Sequence, residues 1–491
     1  MSRPSPAWRR MAAALLLALA VLLFCTKSSP LYPINDWADA NIYLTIGKGM
    51  TRGQVVYRDL YDHKGPLLYA LHALCALVSF TDFAGVFVME WLFAAAFLYL
   101  THSFLRRMGA GRWAWALTAF AALAVYASPS FAEGDSAEEL ALPLIMATLL
   151  SLWRLWQSGG RRMSAGALMA NGALAGCVFW IKFTMIGLHA GLFASLLLYH
   201  LKRREGREAL RALLWPLLGF ALSTLPWVIY FGLNGALGDW LKTYLYDNLF
   251  LYSAGETAGL GARVKAMLKC GLSWLGQNPL YTLPLLLGLA ACRGFGAWPY
   301  ASLWLMAGLG ALGTFVGGKS YVYYGLVLAP ACVPGLAAVG RWLSKRACAP
   351  RALIAAACAA CVALCPLVSP NPRPQYGVSL GQGRESTMQY RVAAALPANA
   401  TLLNYGFMDA GFYTAAGLVP SVKYFHQTNV PLREMKDEQL RYMREGLCEY
   451  IVARGNEPDW LLEGYDAVLS VQSPGFWYEF VTLYRRKPMQ N

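Results

Sequence analysis

The sequence predicts an all-α polytopic membrane bundle followed by a small C-terminal α/β domain, and three observations carry that prediction. Hydrophobic residues make up 57% of the 491 positions and charged residues only 14%, against about 25% charge in an ordinary soluble domain. Apolar runs long enough to cross about 30 Å of hydrocarbon recur as far as residue 369. Beyond Pro366 the balance changes: residues 1–370 hold 30 Lys/Arg and 15 Asp/Glu, whereas residues 371–491 hold 12 of each.

The apolar runs place about eleven transmembrane helices near 9–30, 84–105, 113–129, 139–157, 165–181, 185–201, 211–232, 272–292, 297–317, 324–342 and 351–369. The first, RRMAAALLLALAVLLFC, is built like a signal peptide. It lacks a small-x-small cleavage site and further spans follow, so it reads as a retained helix. One more run, Pro66 to Phe80, is about 15 residues long, short for a crossing. Charge decides its placement. If it lies flat on the outer surface, the clusters Arg106/Arg107/Arg112, Arg161/Arg162, Lys202–Arg211 and Arg341–Arg351 face the cytoplasm, giving 19 Lys/Arg inside and 11 outside. If it spans, every later loop flips, leaving 9 inside and 21 outside. The positive-inside rule selects the flat arrangement. Residues 31–83 then form one external loop carrying a juxtamembrane helix at 66–80. The N-terminus is cytoplasmic, the C-terminal domain is extracytoplasmic, and the membrane is the bacterial cytoplasmic (inner) membrane.

This placement also disposes of two other readings. The net charge of +15 invites a nucleic-acid partner, but the excess belongs to membrane loops, and a nucleic-acid role is excluded. Cys358, Cys361 and Cys365 mimic metal spacing, yet they lie in the run ALIAAACAACVALCPLV with no His or carboxylate among them, so they read as small packing residues. Cys448 stands alone in the tail, and no disulfide framework follows. The carboxylates sort by side. Of the 15 before residue 371, only Glu205 and Glu208 are cytoplasmic and Glu90 is inside a helix. Eight of the others fall in two external loops: Asp36, Asp39, Asp59 and Asp62 in the first, and Glu133, Asp135, Glu138 and Glu139 in the second, at 130–139.

Past the bundle, SPNPRPQYG is a Pro-rich linker. TLLNYG and EYIVARG read as short buried strands, PLREMKDEQLRYMREG at 431–446 as an amphipathic helix and FVTLYRRK as a closing strand. Residues 371–491 form the α/β domain on this reading, while 1–370 form the membrane domain. The pattern of the smaller domain is too generic to name a ligand.

The first loop concentrates Asp39, Asp59, Asp62, His63 and Lys64 at the membrane surface, with Gly47, Gly49, Gly53 and Gly65 permitting tight turns. Charges held beside lipid are costly unless paired or used. The order Asp39, Tyr43, Gly47, Gly53, Tyr57-Arg58-Asp59 and Asp62-His63-Lys64-Gly65-Pro66 resembles bacterial members of the protein O-mannosyltransferase-like (dolichyl-phosphate-mannose mannosyltransferase) group of GT-C superfamily glycosyltransferases. Ser136-Ala137-Glu138-Glu139-Leu140-Ala141-Leu142-Pro143 resembles that group's acidic lead-in to the fourth helix. Trp180-Ile181-Lys182-Phe183 resembles a lysine at the outer end of a later helix. Tyr323-Tyr324 before Pro330 resembles a His-Tyr-Tyr turn, although Val322 stands where the His would be. The likeness covers most of the chain in architecture, and its motifs fill about 45 residues. It implies a catalytic acidic residue just after the first helix and a juxtamembrane helix that starts at the His-Lys-Gly-Pro element.

A site outside the cytoplasm has no nucleotide sugars, so the natural donor is a sugar on a polyprenyl phosphate, transferred by a hexosyl- or pentosyltransferase. The departing phosphate needs cations: Lys64, His63, Arg58 and Lys182 are the candidates. The acceptor hydroxyl, on an envelope glycan, lipid or protein, needs a base; Asp39 is the first candidate and Glu138 the second. A single displacement would invert the anomeric centre, with no second carboxylic acid required. Asp59, Asp62 and Glu139 are acidic candidates for acceptor contact or structure, and Lys319, Tyr323 and Tyr324 for donor contact. No cofactor is required by the sequence, while the carboxylates of both loops leave room for a divalent metal. Plainer readings stand beside these: Lys182 as a snorkelling side chain, Lys319 as a loop charge, His72 and His189 as packed core residues. Two other functions fit an outer-face chain of this kind, a flippase for lipid-linked sugars and an envelope polysaccharide polymerase or ligase. Transporters usually carry their charges near the bilayer midplane in repeated halves, and no halves match here.

The topology has a direct test. A reporter enzyme fused after Asn491 is expected to be active only outside the cytoplasm; cytoplasmic activity would mean that 66–80 crosses the membrane.

Overall fold

Leu- and Ala-rich runs without internal charge fold as helices through the first 368 residues of the computed structural model, which describes residues 6–157, 162–252, 259–291, 293, 296–346, 350–373, 377–472 and 480–488. Of the features singled out above, Arg161 and residues 374–376 of the linker lie outside the described residues. The helices are α1 Ala7–Cys25, α2 Ala38–Thr51, α3 Pro66–Val78, α4 Ala84–Arg107, α5 Ala114–Tyr126, α6 Ala137–Gln157, α7 Ala165–Ile181, α8 Gly187–Lys202, α9 Gly206–Leu233, α10 Leu237–Leu241, α11 Leu260–Gln277, α12 Pro279–Ala291, α13 Ala297–Phe315, α14 Val333–Arg346 and α15 Arg351–Val368. A π-helical stretch, Lys242–Tyr252, follows α10, and a 3-10 stretch, Val322–Cys332, leads into α14.

Among the described residues, seven segments are individually long and apolar enough to cross a bilayer: α1, α4, α6, Phe183–Lys202, α9, Val322–Arg346 and α15. The chain is thus an integral membrane protein with fewer self-sufficient spans than the eleven expected. The difference has local causes. Helices α7 and α12 are apolar but shorter. The run expected at 272–292 is broken at Asn278, whose side chain accepts from Ser130 N (3.1 Å) and donates to Trp274 O (2.9 Å). Small residues set the bundle's spacing. A Cβ on Gly172 of α7 would meet Pro216 O of α9 at 2.0 Å, and one on Gly219 would meet Met169 O at 1.9 Å.

Polar contacts identify one end of this bundle. Thr26 Oγ1 donates to Glu90 Oε1 at 2.8 Å, Lys27 N to Glu133 O at 2.8 Å, Ser130 Oγ to Val322 O at 2.8 Å and Asn371 Nδ2 to Cys25 O at 2.5 Å. The C-terminal ends of α1, α5 and α15 therefore meet the N-terminal ends of α4 and α6. At the other end, Ser344 Oγ donates to Ala110 O at 2.8 Å. Helix α3 touches only the first end. Gly65 N donates to Ile181 O at 3.0 Å, His72 Nε2 sits 3.0 Å from Asp135, and a Cβ on Gly85 would lie 2.1 Å from Cys75 O. Its 13 residues, about 20 Å long, lie across the ends of α7, α6 and α4.

Helix α2 was not expected, because Gly47 and Gly49 read as turn residues. Both lie inside it, and only Gly53 takes a left-handed conformation, with φ +87°. Gly47 is needed for close approach instead: a Cβ there would meet the His72 backbone carbon of α3 at 2.5 Å.

The C-terminal segment builds a four-stranded sheet in the order β1-β2-β4-β3, from β1 Leu402–Asn404, β2 Tyr450–Ala453, β3 Tyr465–Gln472 and β4 Phe480–Arg486. The pair β1–β2 is parallel, with Leu403 opposite Ile451, and the other pairs are antiparallel. Helix Arg433–Arg444 buries Met435, Gln439, Tyr442 and Met443. Three of the strands and this helix match the expected ones; β3 was not anticipated, since most of its residues are exposed. The segment seats on the loop between α1 and α4. Thr45 Oγ1 donates to Asp409 Oδ2 at 2.8 Å, Tyr61 N to Lys423 O at 3.0 Å and Gln54 Nε2 to Pro420 O at 2.8 Å.

Lys48 of α2 is completely buried in this contact, donating to Tyr413 O at 2.8 Å. Burial lowers it to about 7, against the pull of Asp409. The unfolded chain therefore binds more protons than the folded one between about 7 and 10.5, and stability rises with pH across that window. The unfolding midpoint in detergent is expected to rise from pH 7 to pH 9, and to rise less in Lys48→Met. Parallel curves for the two proteins would refute this account of the contact.

Candidate active site

At the polar end of the bundle four buried charges meet from four chain segments. Asp39 lies in the first turn of α2, where a carboxylate suits the positive end of the helix dipole. Tyr43, one turn on, shares its face and donates to Asp39 Oδ2 at 3.0 Å. Tyr323, from the 3-10 stretch before α14, donates to the same oxygen at 3.3 Å, and Lys64 Nζ lies 3.6 Å from it. The turn before α3 fixes Lys64. Its N–H donates to Tyr69 Oη at 2.9 Å, and that hydroxyl donates to Asp62 Oδ2 at 2.6 Å. Tyr57 Oη donates to Lys64 O at 2.7 Å. His63 Nδ1 lies 3.1 Å from Asp62 Oδ1, and its ring packs against Tyr252 with centroids 4.9 Å apart.

Glu138 and Lys182 complete the cluster. Lys182 follows α7, whose last turn it caps with extended backbone; its Nζ donates to Glu138 Oε1 at 2.6 Å. The same ammonium sits 3.6 Å above the Tyr324 ring and 5.6 Å from that of Tyr323, the geometry of a cation–π contact. Tyr323 thus bridges the two halves, bonded to Asp39 and facing Lys182. Tyr252 Oη lies 3.2 Å from Tyr324 Oη, and Lys319 Nζ stands 3.3 Å over the Tyr252 ring.

The electrostatics follow from burial and pairing. Burial alone would raise Asp62, but Lys64 and His63 beside it hold its carboxyl well below the usual carboxylate range. Burial would lower Lys64, but Asp39 and Asp62 hold it above the ordinary lysine value. Lys182 goes the other way. Burial lowers it, Glu138 opposes, and the positive charge of Lys64 adds to the lowering. His63 is lowered by burial and by Lys64, which together outweigh Asp62.

A second buried group lies beneath the first. His72 Nε2 is 3.0 Å from both oxygens of Asp135. The Asp135 N–H is shared between Glu90 Oε1 at 2.8 Å and Glu139 Oε2 at 2.9 Å. Burial would lower His72, but Asp135 holds it above the ordinary histidine value. The Tyr43 and His72 rings, with centroids 5.4 Å apart, join the two groups.

The structure therefore brings Asp39, Asp62, His63, Lys64, Glu138, Lys182, Lys319, Tyr323 and Tyr324 together. It places Glu139 in the second group. Arg58 and Asp59 stand apart, paired with each other at the surface at 2.8 Å, with Arg58 also donating to Asn234 O at 2.8 Å. Sequence reasoning missed Tyr252 and the His72–Asp135 pair. The latter carries no local signal in the sequence, since His72 and Asp135 lie 63 residues apart. Among the described residues no three His, Cys, Asp or Glu side chains are arranged to hold a metal ion. Cys365 instead donates to Cys361 O at 3.3 Å within α15.

No known protein-family profile matches the chain, and no curated protein matches its sequence. Its fold does have solved counterparts. ArnT from Cupriavidus metallidurans, solved bound to undecaprenyl phosphate and in the apo state, superposes with a TM-score of 0.61 in both cases. The alignment is 15% identical, spans 96% of this chain and covers 98% and 97% of the two ArnT chains. The chain has an ArnT-like fold. The oligosaccharyltransferase AglB from Archaeoglobus fulgidus, in complex with an inhibitory peptide and a dolichol-phosphate, gives a TM-score of 0.47 at 12% identity over 91% of this chain and 69% of AglB, too loose a likeness to carry an argument.

The Lys182–Glu138 pair makes a testable demand on stability. Lys182→Met leaves a buried carboxylate without its cation and is expected to cost about 3 kcal/mol, read as a lower unfolding midpoint in detergent. Adding Glu138→Gln removes the stranded charge and should recover most of the loss. A double variant no more stable than the single one would show that the pair does not act as a unit.

Proposed function

We propose that the chain is a membrane glycosyltransferase that moves a hexosyl or pentosyl group from a polyprenyl-phosphate donor to an envelope acceptor at the extracytoplasmic face. The single observation behind this reading is the meeting of two buried ammoniums, Lys64 and Lys182, with two buried carboxylates, Asp39 and Glu138, at one end of the bundle. The ArnT-like fold supports it, because one ArnT structure holds undecaprenyl phosphate. So does the first-loop resemblance to protein O-mannosyltransferase-like enzymes, which makes an O-linked acceptor the first to try.

In this reading the bond between the sugar's anomeric carbon and the phosphate oxygen breaks as the acceptor oxygen attacks from the opposite face, inverting that carbon. The leaving oxygen takes the electron pair, and Lys64 and Lys182 stabilise its charge. The proton leaves the acceptor hydroxyl for Asp39. Its Oδ2 is committed to Tyr43, Tyr323 and Lys64, so Oδ1 is the oxygen offered as base. Glu138 positions Lys182, and His63 orients Asp62. The tyrosine faces of Tyr323, Tyr324 and Tyr252 offer flat surfaces against which a sugar ring packs. A donor kept in the membrane suits a site at helix ends, since the polyprenyl tail stays in lipid while its headgroup reaches the charges.

Membranes carrying Asp39→Asn are expected to lose transfer by about 10²-fold or more and to accumulate unused polyprenyl-phosphate sugar. Mass spectrometry of lipid-linked sugars and envelope glycans measures both. Unchanged glycans in a folded Asp39→Asn protein would overturn the assignment of the base. An unchanged lipid-linked pool in cells lacking the chain altogether would overturn the donor.

A further inference from the structure

At the end of the bundle opposite the candidate active site, a cavity of about 260 Å³ is lined by Arg10, Arg106, Arg107 and Arg154, with Tyr99 and Ser103 at its side. Four guanidiniums converge on it and no carboxylate lines it. Two contacts build this convergence. Trp91 Nε1 donates to Leu15 O at 2.8 Å, fastening α1 to α4. Gln157 Nε2 donates to Arg107 O at 2.8 Å, fastening the end of α6 to the end of α4. Arg154 lies one turn before Gln157, so its side chain reaches the same space.

The bland account is that basic residues in the last turns of α4 and α6 offset the negative ends of those helix dipoles. It covers Arg106, Arg107 and Arg154 but fails for Arg10. That residue lies in the first turn of α1, where the dipole is positive and a cation is disfavoured. Its Nε is also buried without a hydrogen-bond partner among the described residues, and a buried charged donor left unpaired is costly. An anion in the cavity removes both penalties. Guanidinium forks pair bidentately with phosphate as with carboxylate oxygens, a phosphate is the anion that the headgroups at a bundle end supply, and the volume is several times one water's share.

We propose that this cavity binds a phosphate-bearing anion, whose chemistry a bilayer lipid headgroup and a soluble phosphate ester share. The exposed apolar residues of α1 beside it, Trp8, Met11 and Leu16, give lipid chains a surface on which to lie. The site is separate from the proposed transfer chemistry and stands whether or not that reading holds.

The full-length protein, delipidated in detergent, should retain phosphatidylglycerol at least about tenfold more tightly than phosphatidylcholine in native mass spectrometry, since the choline cation of the zwitterion meets the guanidiniums as a like charge and offsets their attraction to its phosphate. Arg10→Gln/Arg154→Gln should abolish that preference, while Arg207→Gln/Arg211→Gln, in the first turns of α9 and outside the cavity lining, should keep it. Should the first pair fail to fold, the exposed Arg154→Gln alone carries the same expectation at a smaller fold-change. Displacement of the lipid by millimolar inorganic phosphate would assign the soluble source, and its failure to compete the lipid. Equal retention by wild type and a folded Arg10→Gln/Arg154→Gln protein would overturn the site.

Discussion

The pairing of buried charges at one end of the bundle constrains everything built around it. Asp39, Lys64, Glu138 and Lys182 are each less than 10% exposed. Taking one such ion out of water costs several kcal/mol, so none of the four could occupy its place alone. The partners come from α2, the turn before α3, α6 and the end of α7. Sliding any of these segments would strand a charge on another. The pairs therefore fix the register of the first loop on the bundle, even though each adds little net stability.

Close packing makes that register reachable. Glycine at 47 lets α2 and α3 touch backbone to backbone, and glycine at 65 lets the turn before α3 press on the Trp180 carbonyl, where a Cβ would sit at 2.0 Å. This second contact sets Lys64 and Lys182 in one cluster, because Gly65 follows the first lysine and Trp180 precedes the second by two residues. The C-terminal segment then closes over α2 through Thr45 and Lys48. The same segment reaches the stretch that carries Tyr323 and Tyr324, where Asn429 Nδ2 donates to Tyr321 Oη at 3.4 Å.

What the sequence disclosed follows the same physics. Charge-free apolar runs announce helices, and lysines distributed between loops indicated that Pro66–Phe80 does not cross, consistent with α3 touching one end only. Charges kept beside lipid pointed to Asp39 and Lys64, while the second acidic loop and the family resemblance pointed to Glu138 and Lys182. Helix α2 stayed hidden because its glycines serve approach to α3, a tertiary demand that local propensity cannot express. The break at Asn278 had a local signal in Asn278-Pro279, since the residue before a proline disfavours the helical region; its side-chain partner Ser130 lies 148 residues away. His72 looked like a packed core residue, and it is one; its pairing with Asp135 across 63 residues has no local signature. Arg58 and Asp59 show the converse. Their motif lies beside the site in sequence, yet each satisfies the other at the surface.

The two lysines are not equivalent, and the difference suits the proposed chemistry. Lys64 faces Asp39 and Asp62, so its charge is secured by two carboxylates. Lys182 has Glu138 and two aromatic faces, and it feels Lys64 as a like charge. A negative group placed between the ammoniums would relieve that repulsion and restore the proton affinity of Lys182. A phosphate supplies that charge most fully once its sugar has departed and the second oxygen becomes anionic. In the proposed reaction such an arrangement stabilises the leaving phosphate more than the intact donor, which is the condition for speeding a transfer and not merely holding its substrate.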